Sequence, residues 1–280
     1  MDVRVGPPTV TIHADDEFAV CEVDGEMSST KEQGYFAADT RLVSGYRITL
    51  SGARPVPCNG AAVKQHSARF EFTNPQMLGA NGEEIAPRCL HLRLDRAIGL
   101  GMHEDYELTN YSRQHVIVDL ELSIESDFAD LVDVESQRTI RRGSLESTWD
   151  ARRTVNRYRN GEFTRGVVIE VGDAGSAPEF ANGGIGFRIS IEPGCSWHTC
   201  LLWRPILDGP EPSRPPRICH DLSGESENDR IHRKWVARHQ VHHQVHHQVH
   251  HQRYRCHRRG PPGRGRPGRD AHAPPRHRRR

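Results

Sequence analysis

Short segments of alternating apolar and polar residues, separated by turn residues, fill the first 207 positions of this chain. In residues 46–50, Tyr, Ile and Leu occupy one side of an extended chain, and Arg and Thr occupy the other. That period of two is typical of a half-buried β-strand. No stretch of residues 1–207 has a sustained helical period. About a dozen such strands at regular spacing predict an all-β sandwich or barrel rather than alternating strands and helices.

Two turns predict specific strand pairings. Strong alternation on both sides of residues 111–114 predicts a hairpin that joins residues 102–110 to residues 115–125, with one buried and one hydrated face. Asn160-Gly161 is a strong two-residue hairpin signal between the next two apolar segments. Further strands are predicted at residues 10–12, 18–23, 67–73, 90–94, 155–158, 163–171, 185–191 and 197–203.

The alternating pattern ends near residue 208, and the composition then changes twice. In residues 209–238, a Pro-rich stretch predicts a stiff linker, and acids followed by apolar residues predict a short helix within residues 225–239. In residues 239–280, a thrice-repeated Val-His-His-Gln and eleven Arg leave too few apolar side chains to bury a core. We therefore predict a sandwich domain at residues 1–208, then a linker with a short helix, then a disordered His/Arg-rich tail.

The tail allows three interpretations. His242, His246 and His250 would share one face of a helix, a spacing that can chelate a divalent metal ion. The Arg residues could contact phosphate or nucleic acid. A perfect four-residue repeat is also the translation of a twelve-nucleotide repeat, and GC-rich DNA in the wrong frame yields His, Arg, Pro and Gly. We hypothesise a frameshift near residue 238 that removed a catalytic domain, which translation of the other two frames would test.

Charge and cysteine content narrow the function classes. The net charge of +1 hides a difference between two regions of the chain. Residues 231–280 contain 14 Lys and Arg and one acid, whereas residues 1–230 contain 24 basic and 36 acidic groups. The acidic body argues against a nucleic-acid partner for the main domain. Seven Cys, without a Cys-x-x-Cys pair, predict reduced thiols in a cytoplasmic protein. No apolar run approaches the ~20 residues of a membrane span, so no membrane partner is expected.

Three blocks of sequence resemble a known family. Gly34-Tyr35-Phe36 precedes Asp39-Thr40-Arg41 and a Gly-ended strand. The other blocks are residues 92–112, which contain Asn110-Tyr111-Ser112, and Asp127-Phe128-Ala129-Asp130. In order and spacing they resemble the N-terminal domain of bacterial glycogen-debranching-type, amylo-alpha-1,6-glucosidase-like proteins, over roughly residues 8–207. The chain departs from the family at residues 131–136, where an aromatic residue and an Arg-Gly pair are usual.

The resemblance implies a fold and a function. The fold is a large antiparallel two-sheet β-sandwich, the supersandwich similar to the galactose-mutarotase type. The family's catalytic acids belong to a helical barrel that does not follow here, so no catalytic residue is assigned and the chain alone is expected to be inactive. We expect an accessory domain of a glycoside hydrolase that acts on an oligo- or polysaccharide through a missing or separate catalytic domain. The alternative is a stand-alone, non-catalytic sugar-binding or interaction module.

No cofactor is expected, since Gly183-Gly184-Ile185-Gly186 lies between strands and is not a dinucleotide loop.

Candidate site residues follow from the same resemblance. In the family the sandwich packs on the catalytic barrel and contributes to the rim of the sugar site. We assign Asp39, Thr40, Arg41 and Tyr35 as candidates for this substrate rim or domain interface. The alternative is that Asp39 and Arg41 only brace their loop, as a surface ion pair of small energetic value.

Other polar and aromatic residues receive structural interpretations. Glycoside hydrolysis needs two carboxylates roughly 5–5.5 Å or 6.5–9.5 Å apart. The acids of the body are instead interpreted as the hydrated face of a sheet: Glu104, Asp105, Glu107, Asp127, Asp130 and Asp133. His198 and Cys200 are interpreted as packing residues rather than metal ligands. Of the Trp residues that could stack on sugar rings, Trp203 is assigned to the core, whereas Trp149 and Trp197 are left open.

Overall fold

The computed structural model of the chain describes residues 8–138, 143–207, 219 and 230–238. The chain divides into two compact units, residues 1–226 and residues 227–280. In the second unit, the described residues 230–238 form a helix, as the acid-to-apolar pattern predicts. The tail with His242, His246 and His250, and the predicted linker apart from residue 219, lie outside the described residues.

The first unit is built almost entirely of strands. Its described residues form one short helix, α1, Leu131–Glu135, and the following strands: β1 Thr9–Ala14, β2 Glu17–Glu22, β3 Gly34–Ala37, β4 Thr40–Val43, β5 Gly45–Leu50, β6 Val56–Lys64, β7 Ser67–Thr73, β8 Met77–Leu78, β9 Glu84–Ile85, β10 Leu90–Gly99, β11 Gly101–Asn110, β12 Val116–Glu125, β13 Ser144–Asp150, β14 Arg153–Asn160, β15 Phe163–Ala174, β16 Pro178–Ala181, β17 Gly184–Ile191 and β18 Ser196–Ile206.

Antiparallel sheets organise these strands. The largest has eight strands in the order β13-β14-β15-β18-β11-β10-β7-β6. Two four-stranded sheets have the orders β1-β2-β3-β4 and β16-β17-β12-β5, and β8 pairs with β9. The described strand pairs are antiparallel. The prediction of an all-β, antiparallel sandwich is therefore confirmed.

The core lies between the eight-stranded sheet and the two four-stranded sheets. Trp203 on β18 meets Tyr46 on β5 edge-on, with ring centroids 6.2 Å apart. Nearby, Trp197 on β18 packs on Phe187 of β17 at 5.3 Å. Both Trp side chains are buried, which confirms the core placement of Trp203 and excludes Trp197 from an open sugar platform.

One predicted pairing is wrong and one is confirmed. β14 and β15 form the hairpin predicted from Asn160-Gly161. β11 and β12, however, are not a hairpin, because β11 pairs with β10 and β18 while β12 pairs with β5 and β17. The connection crosses from one sheet to the other, and the Asn110 side chain holds it by donating to the carbonyls of Gln114 at 2.8 Å and Ile191 at 3.0 Å. Alternation defines a strand but not its partner.

No helix among the described residues has the length and apolar character needed to cross a membrane. α1 has five residues, and the helix at residues 230–238 carries charged and polar side chains.

Candidate functional site

Two of the three sequence blocks meet in space. We call residues 34–41 and 127–135 together the signature platform. In it, β4 runs beside the segment after β12, and the backbone N–H of Arg41 donates to the carbonyl of Ala129 at 2.9 Å. The backbone N–H of Leu131 donates to the carbonyl of Asp39 at 2.9 Å. The two blocks thus form one local structure although 86 positions separate Arg41 from Asp127.

The Arg41 guanidinium fastens the signature platform. It forms a bidentate ion pair with Asp127, in which Nε lies 3.2 Å from Oδ1 and Nη2 contacts Oδ2. Its Nη1 donates to the backbone carbonyls of Lys31 at 3.0 Å and Gln33 at 3.3 Å. The Arg41 side chain is only 2% exposed. Because this planar fork meets a carboxylate and two carbonyls at once, it fixes the hairpin in one orientation.

Gly34 makes room for Arg41. Its φ of +147° lies in a region that side chains rarely adopt. A Cβ there would stand 2.4 Å from the carbonyl oxygen of Val43 and 2.8 Å from Cδ of Arg41. Only glycine therefore lets the aliphatic stem of Arg41 cross β3, which gives the Gly-Tyr-Phe block a steric role.

A small second core lies under the signature platform. Phe36 stacks on Phe18 of β2, with ring centroids 4.5 Å apart and planes at 7°. Phe36 also packs with Ala129 and Val134, so α1 is held against the hairpin. The carboxylate of Asp130 caps α1 by accepting the N–H of Val132 at 2.9 Å. The cap and the apolar contact define this short helix, which is too brief to be stable alone.

Tyr35 is buried in the sandwich rather than placed at a rim. It is fully enclosed, and its hydroxyl donates to Oε2 of Glu17. Oε1 of Glu17 accepts the backbone N–H of Gly101 at 3.0 Å. Burial is the main cause that raises the pKa of Glu17, partly offset by these two hydrogen bonds. Glu17, held by Tyr35, therefore connects the β1–β4 sheet to the start of β11.

Asp39 is the exposed member of the predicted set. It stands at the tip of the β3–β4 hairpin, and Ala38 and Asp39 both have positive φ, of 45° and 60°. Thr40 and Arg41 are buried at 5% and 2%. The expected surface pair of Asp39 with Arg41 is not formed, because Asp127 takes the guanidinium. The structure thus places Tyr35, Thr40 and Arg41 as support and Asp39 as the presented side chain.

A buried polar network occupies the centre of the sandwich. The ion pair between Nε of Arg96 and Oε1 of Glu104 measures 2.8 Å, and both side chains are 0% exposed. Oε2 of Glu104 accepts from Tyr106 at 2.7 Å and from Trp203 at 3.0 Å. The Arg96 guanidinium also lies 5.0 Å from the ring centroid of Tyr46. Burial opposes its charge, but neighbouring groups, Glu104 first, raise the Arg96 pKa above its usual value.

The interpretation of the acids as a hydrated sheet face is wrong for Glu104 and Asp105 on β11. Glu104 and Asp105 are 0% and 4% exposed. Glu104 points into the core, because the polar network supplies partners that sequence alternation cannot reveal. Structural contacts engage other candidate acids as well: Glu107 with Arg93, Asp127 with Arg41, and Asp130 as the cap of α1.

His198 and Cys200 have polar surroundings that the sequence interpretation missed. The Nε2 of His198 contacts Oδ1 of Asp105. The ligand atoms of His103, Cys200 and Cys219 lie within 4.8 Å of one another, as do those of Asp105, His198 and Cys219. The sequence indicates this cluster only through two i, i+2 spacings, His103 with Asp105 and His198 with Cys200, which place each pair on one face of a strand.

A groove beside the edge strand β13 contains the exposed Trp149. The groove has a volume of about 190 Å³. Trp149 is 63% exposed, and Leu145 and Phe180 add apolar surface. Ser147, Thr154 and Asn156 supply hydroxyl and amide groups. Aromatic faces beside hydrogen-bonding groups suit a ligand that combines apolar and hydroxyl surfaces.

A larger cleft, of about 400 Å³, lies between the loop after β2 and the start of β5. Charges of both signs line it, and several of them are paired. Lys31 contacts Glu22, and Arg54 contacts Glu26. Burial raises the pKa of Glu26, with the charge of Arg54 opposing the shift. Paired charges of this kind indicate a polar surface cleft rather than a specific binding site.

Comparison with known protein families gives a match over more than half of the chain. A family model described as the N-terminal domain of some glycogen debranching enzymes matches residues 12–202. No curated protein matches the chain.

Solved structures give weaker similarities. A protein from the human microbiome described as a kojibiose phosphorylase has 8% identity and a TM-score of 0.43, and the similarity covers 65% of this chain and 24% of that one. A polysaccharide lyase has 13% identity and a TM-score of 0.33, covering 73% of this chain and 32% of that one. The chain therefore spans a quarter to a third of the length of these two proteins.

Proposed function

The chain belongs to the family of N-terminal domains of glycogen debranching enzymes, and we propose that it is a non-catalytic accessory domain for a glycoside-cleaving domain acting on an α-glucan. The observation that carries this proposal is the signature platform. Two of the three sequence blocks that give the family resemblance assemble into a support for one exposed hairpin tip.

The signature platform has properties expected of a docking surface. Asp39 is exposed, and the neighbouring Val132 on α1 is 68% exposed although it is a large apolar residue. An apolar side chain beside a charged one is typical of a small interface. The buried contacts of Arg41 and Phe36 fix the backbone below, so docking would cost little ordering entropy.

The proposal assigns catalysis to the partner domain. Glu104 is enclosed in the core, and four other candidate acids engage structural partners: Asp105, Glu107, Asp127 and Asp130. The accessory domain would therefore position or stabilise the partner and contribute Asp39 to the rim of its sugar site.

An activity assay tests this function. The full chain is mixed with a separately expressed helical catalytic domain of a glycogen debranching enzyme, and glucose release from a branched limit dextrin is measured. We expect no release by the chain alone and increased release by the mixture. Asp39→Arg should remove the increase, whereas Glu192→Arg, in the turn between β17 and β18, should retain it. Release by the chain alone, or an equal response of both variants, would contradict the proposal.

A second function is favoured by the Trp149 groove. We infer that a stand-alone sugar-binding module would use Trp149 to stack on a glucose unit, with Ser147 and Asn156 beside its hydroxyl groups. Affinity electrophoresis on glycogen separates the two functions. Trp149→Ala should abolish retardation, whereas Trp235→Ala, which removes another exposed Trp, at 56%, should leave it unchanged. Migration unaffected by glycogen in the unmodified chain would remove this second function.

A further inference from the structure

Four side chains capable of binding metal converge on the outer face of the eight-stranded sheet. β11 and β18 are adjacent and antiparallel, with Asp105 opposite Cys200. His103 precedes Asp105 by two residues, and His198 precedes Cys200 by two, so the four share one face. Side chains that lie opposite or diagonal to each other on neighbouring strands are close enough for long side chains to meet.

Cys219 completes the cluster from outside the sheet. Its Sγ lies 3.8 Å from Nε2 of His103, and it belongs to both groups of three potential ligands. Its thiol is therefore within 4.8 Å of a ligand atom from each of the other four residues. Zinc bonds of about 2.0–2.3 Å place tetrahedral ligand atoms roughly 3.3–3.8 Å apart, so small side-chain rotations would be sufficient for His103, Cys200 and Cys219.

The surroundings make space for the ligands. A Cβ at Gly172 on β15 would lie 2.3 Å from Sγ of Cys200, so glycine leaves the room that this thiol occupies. His103 and Asp105 are 8% and 4% exposed, and Cys200 is 1% exposed. Burial of several potential ligands on an outer sheet face is unusual, because such a face is normally hydrated.

We propose that His103, Cys200 and Cys219 bind a zinc ion, with Asp105 as the fourth ligand. Two thiolates with an imidazole form a ligand set that selects zinc over the hard cations Mg²⁺ and Ca²⁺. His198 contacts the Asp105 carboxylate and would orient it as a second-shell partner. Four protein ligands make a closed, structural site, which would fix Cys219 against the sheet after β18 ends.

Cobalt substitution tests the site. Co²⁺ is titrated into the reduced full chain carrying Cys256→Ser, so that Cys256 of the His-rich tail cannot supply a thiolate. Only thiolate ligands give an intense near-ultraviolet charge-transfer band, so imidazoles of the tail do not contribute to it. We expect one equivalent of Co²⁺ to saturate the band and Zn²⁺ to displace it.

Variants assign the ligands. On the same Cys256→Ser background, Cys200→Ser and Cys219→Ser should each lower the saturated band by about half and weaken Co²⁺ binding at least about tenfold. The double variant should lose the band. Cys58→Ser removes an exposed thiol on β6 and should leave the band unchanged. A β-type far-ultraviolet circular dichroism spectrum checks folding, and if Cys200→Ser does not fold, Cys219→Ser decides.

Two results would overturn the proposal. One is a folded Cys256→Ser chain that gives no charge-transfer band with Co²⁺. The other is a band that persists in the double variant. As an independent measurement, Zn²⁺ should raise the melting temperature of the Cys256→Ser chain, because the site exists only in the native state. Adding Cys219→Ser, which removes the site, should abolish this increase.

Discussion

Two Arg–carboxylate pairs of the same chemistry perform different tasks in this molecule. The Arg96–Glu104 pair is at the centre of the sandwich, with both side chains 0% exposed. The Arg41–Asp127 pair is at the edge, where the arginine is 2% exposed and the carboxylate 16%. Arg41 joins two separate sequence blocks, whereas Arg96 and Glu104 lie in the same block, and of the two pairs the edge pair is the one that holds a surface feature in place.

The two pairs differ in whether water can solvate the charge that remains when one partner is removed. If one partner of the central pair is removed, the other remains charged in the core with no access to solvent. If one partner of the edge pair is removed, water can reach Asp127, although the Arg41 contacts to two carbonyls are also lost. The central pair therefore governs whether the sandwich folds, and the edge pair governs how the hairpin tip is presented.

The largest expected effect is on the central pair. Glu104→Gln removes the charge that balances Arg96 and should lower the free energy of unfolding by about 3–5 kcal/mol. Glu107→Gln is the matched control, because Glu107 is on the same strand, is 27% exposed and pairs with Arg93. Its cost should be about 0–1 kcal/mol. Urea unfolding measures both, and equal costs would contradict the distinction.

The edge pair should show an intermediate effect. Arg41→Ala removes charge-assisted hydrogen bonds and should lower the free energy of unfolding by about 1.5–3 kcal/mol. Arg188→Ala removes another bidentate pair, with Asp119, in which Arg188 is 63% exposed. It should cause no measurable loss of stability. A cost for Arg188→Ala as large as that for Arg41→Ala would show that burial does not set the value of these pairs.

The pH dependence of Glu17 should be smaller. Its native pKa is raised above 4.5 by burial, so the native state binds this proton more tightly than the unfolded state. The chain should therefore gain stability relative to Glu17→Gln as the pH falls from 7 towards about 4.5, and no more below that value. Thermal unfolding at several pH values measures the difference. A loss of stability relative to Glu17→Gln as the pH falls would contradict the raised pKa.

The smallest expected effect is at the hairpin tip. Asp39 has a φ of +60°, which glycine adopts without strain. Asp39→Gly should thus leave stability unchanged or raise it by up to about 1 kcal/mol. The same change should weaken docking to a catalytic domain, since it removes the presented carboxylate. Loss of stability together with docking would assign Asp39 a bracing role instead.

The sequence predicted the sandwich well because alternation reports directly on which side chains a sheet buries. β7 spans the predicted residues 67–73, and β5 includes the predicted residues 46–50. Which strands pair was harder to predict, because the alternation of β11 and β12 is compatible with a hairpin and also with the observed crossing between sheets.

The functional features were harder to derive for a physical reason. The sequence pattern singled out Asp39 and Arg41 together, but the structural partner of Arg41 is Asp127, which lies 86 positions away in the chain. The burial of Glu104 depends on donors from Arg96, Tyr106 and Trp203, which only the folded sheet brings together. Long-range polar contacts of this kind leave no local period in the sequence.

The affinity of the full chain for a separately expressed helical catalytic domain tests the central claim most directly. Isothermal titration calorimetry should give a dissociation constant that Asp39→Arg weakens at least about tenfold and that Glu192→Arg leaves unchanged, because reversing a charge at an interface opposes docking. Binding that is undetectable for the unmodified chain, or equally strong for Asp39→Arg, would contradict the account of the signature platform as a docking surface.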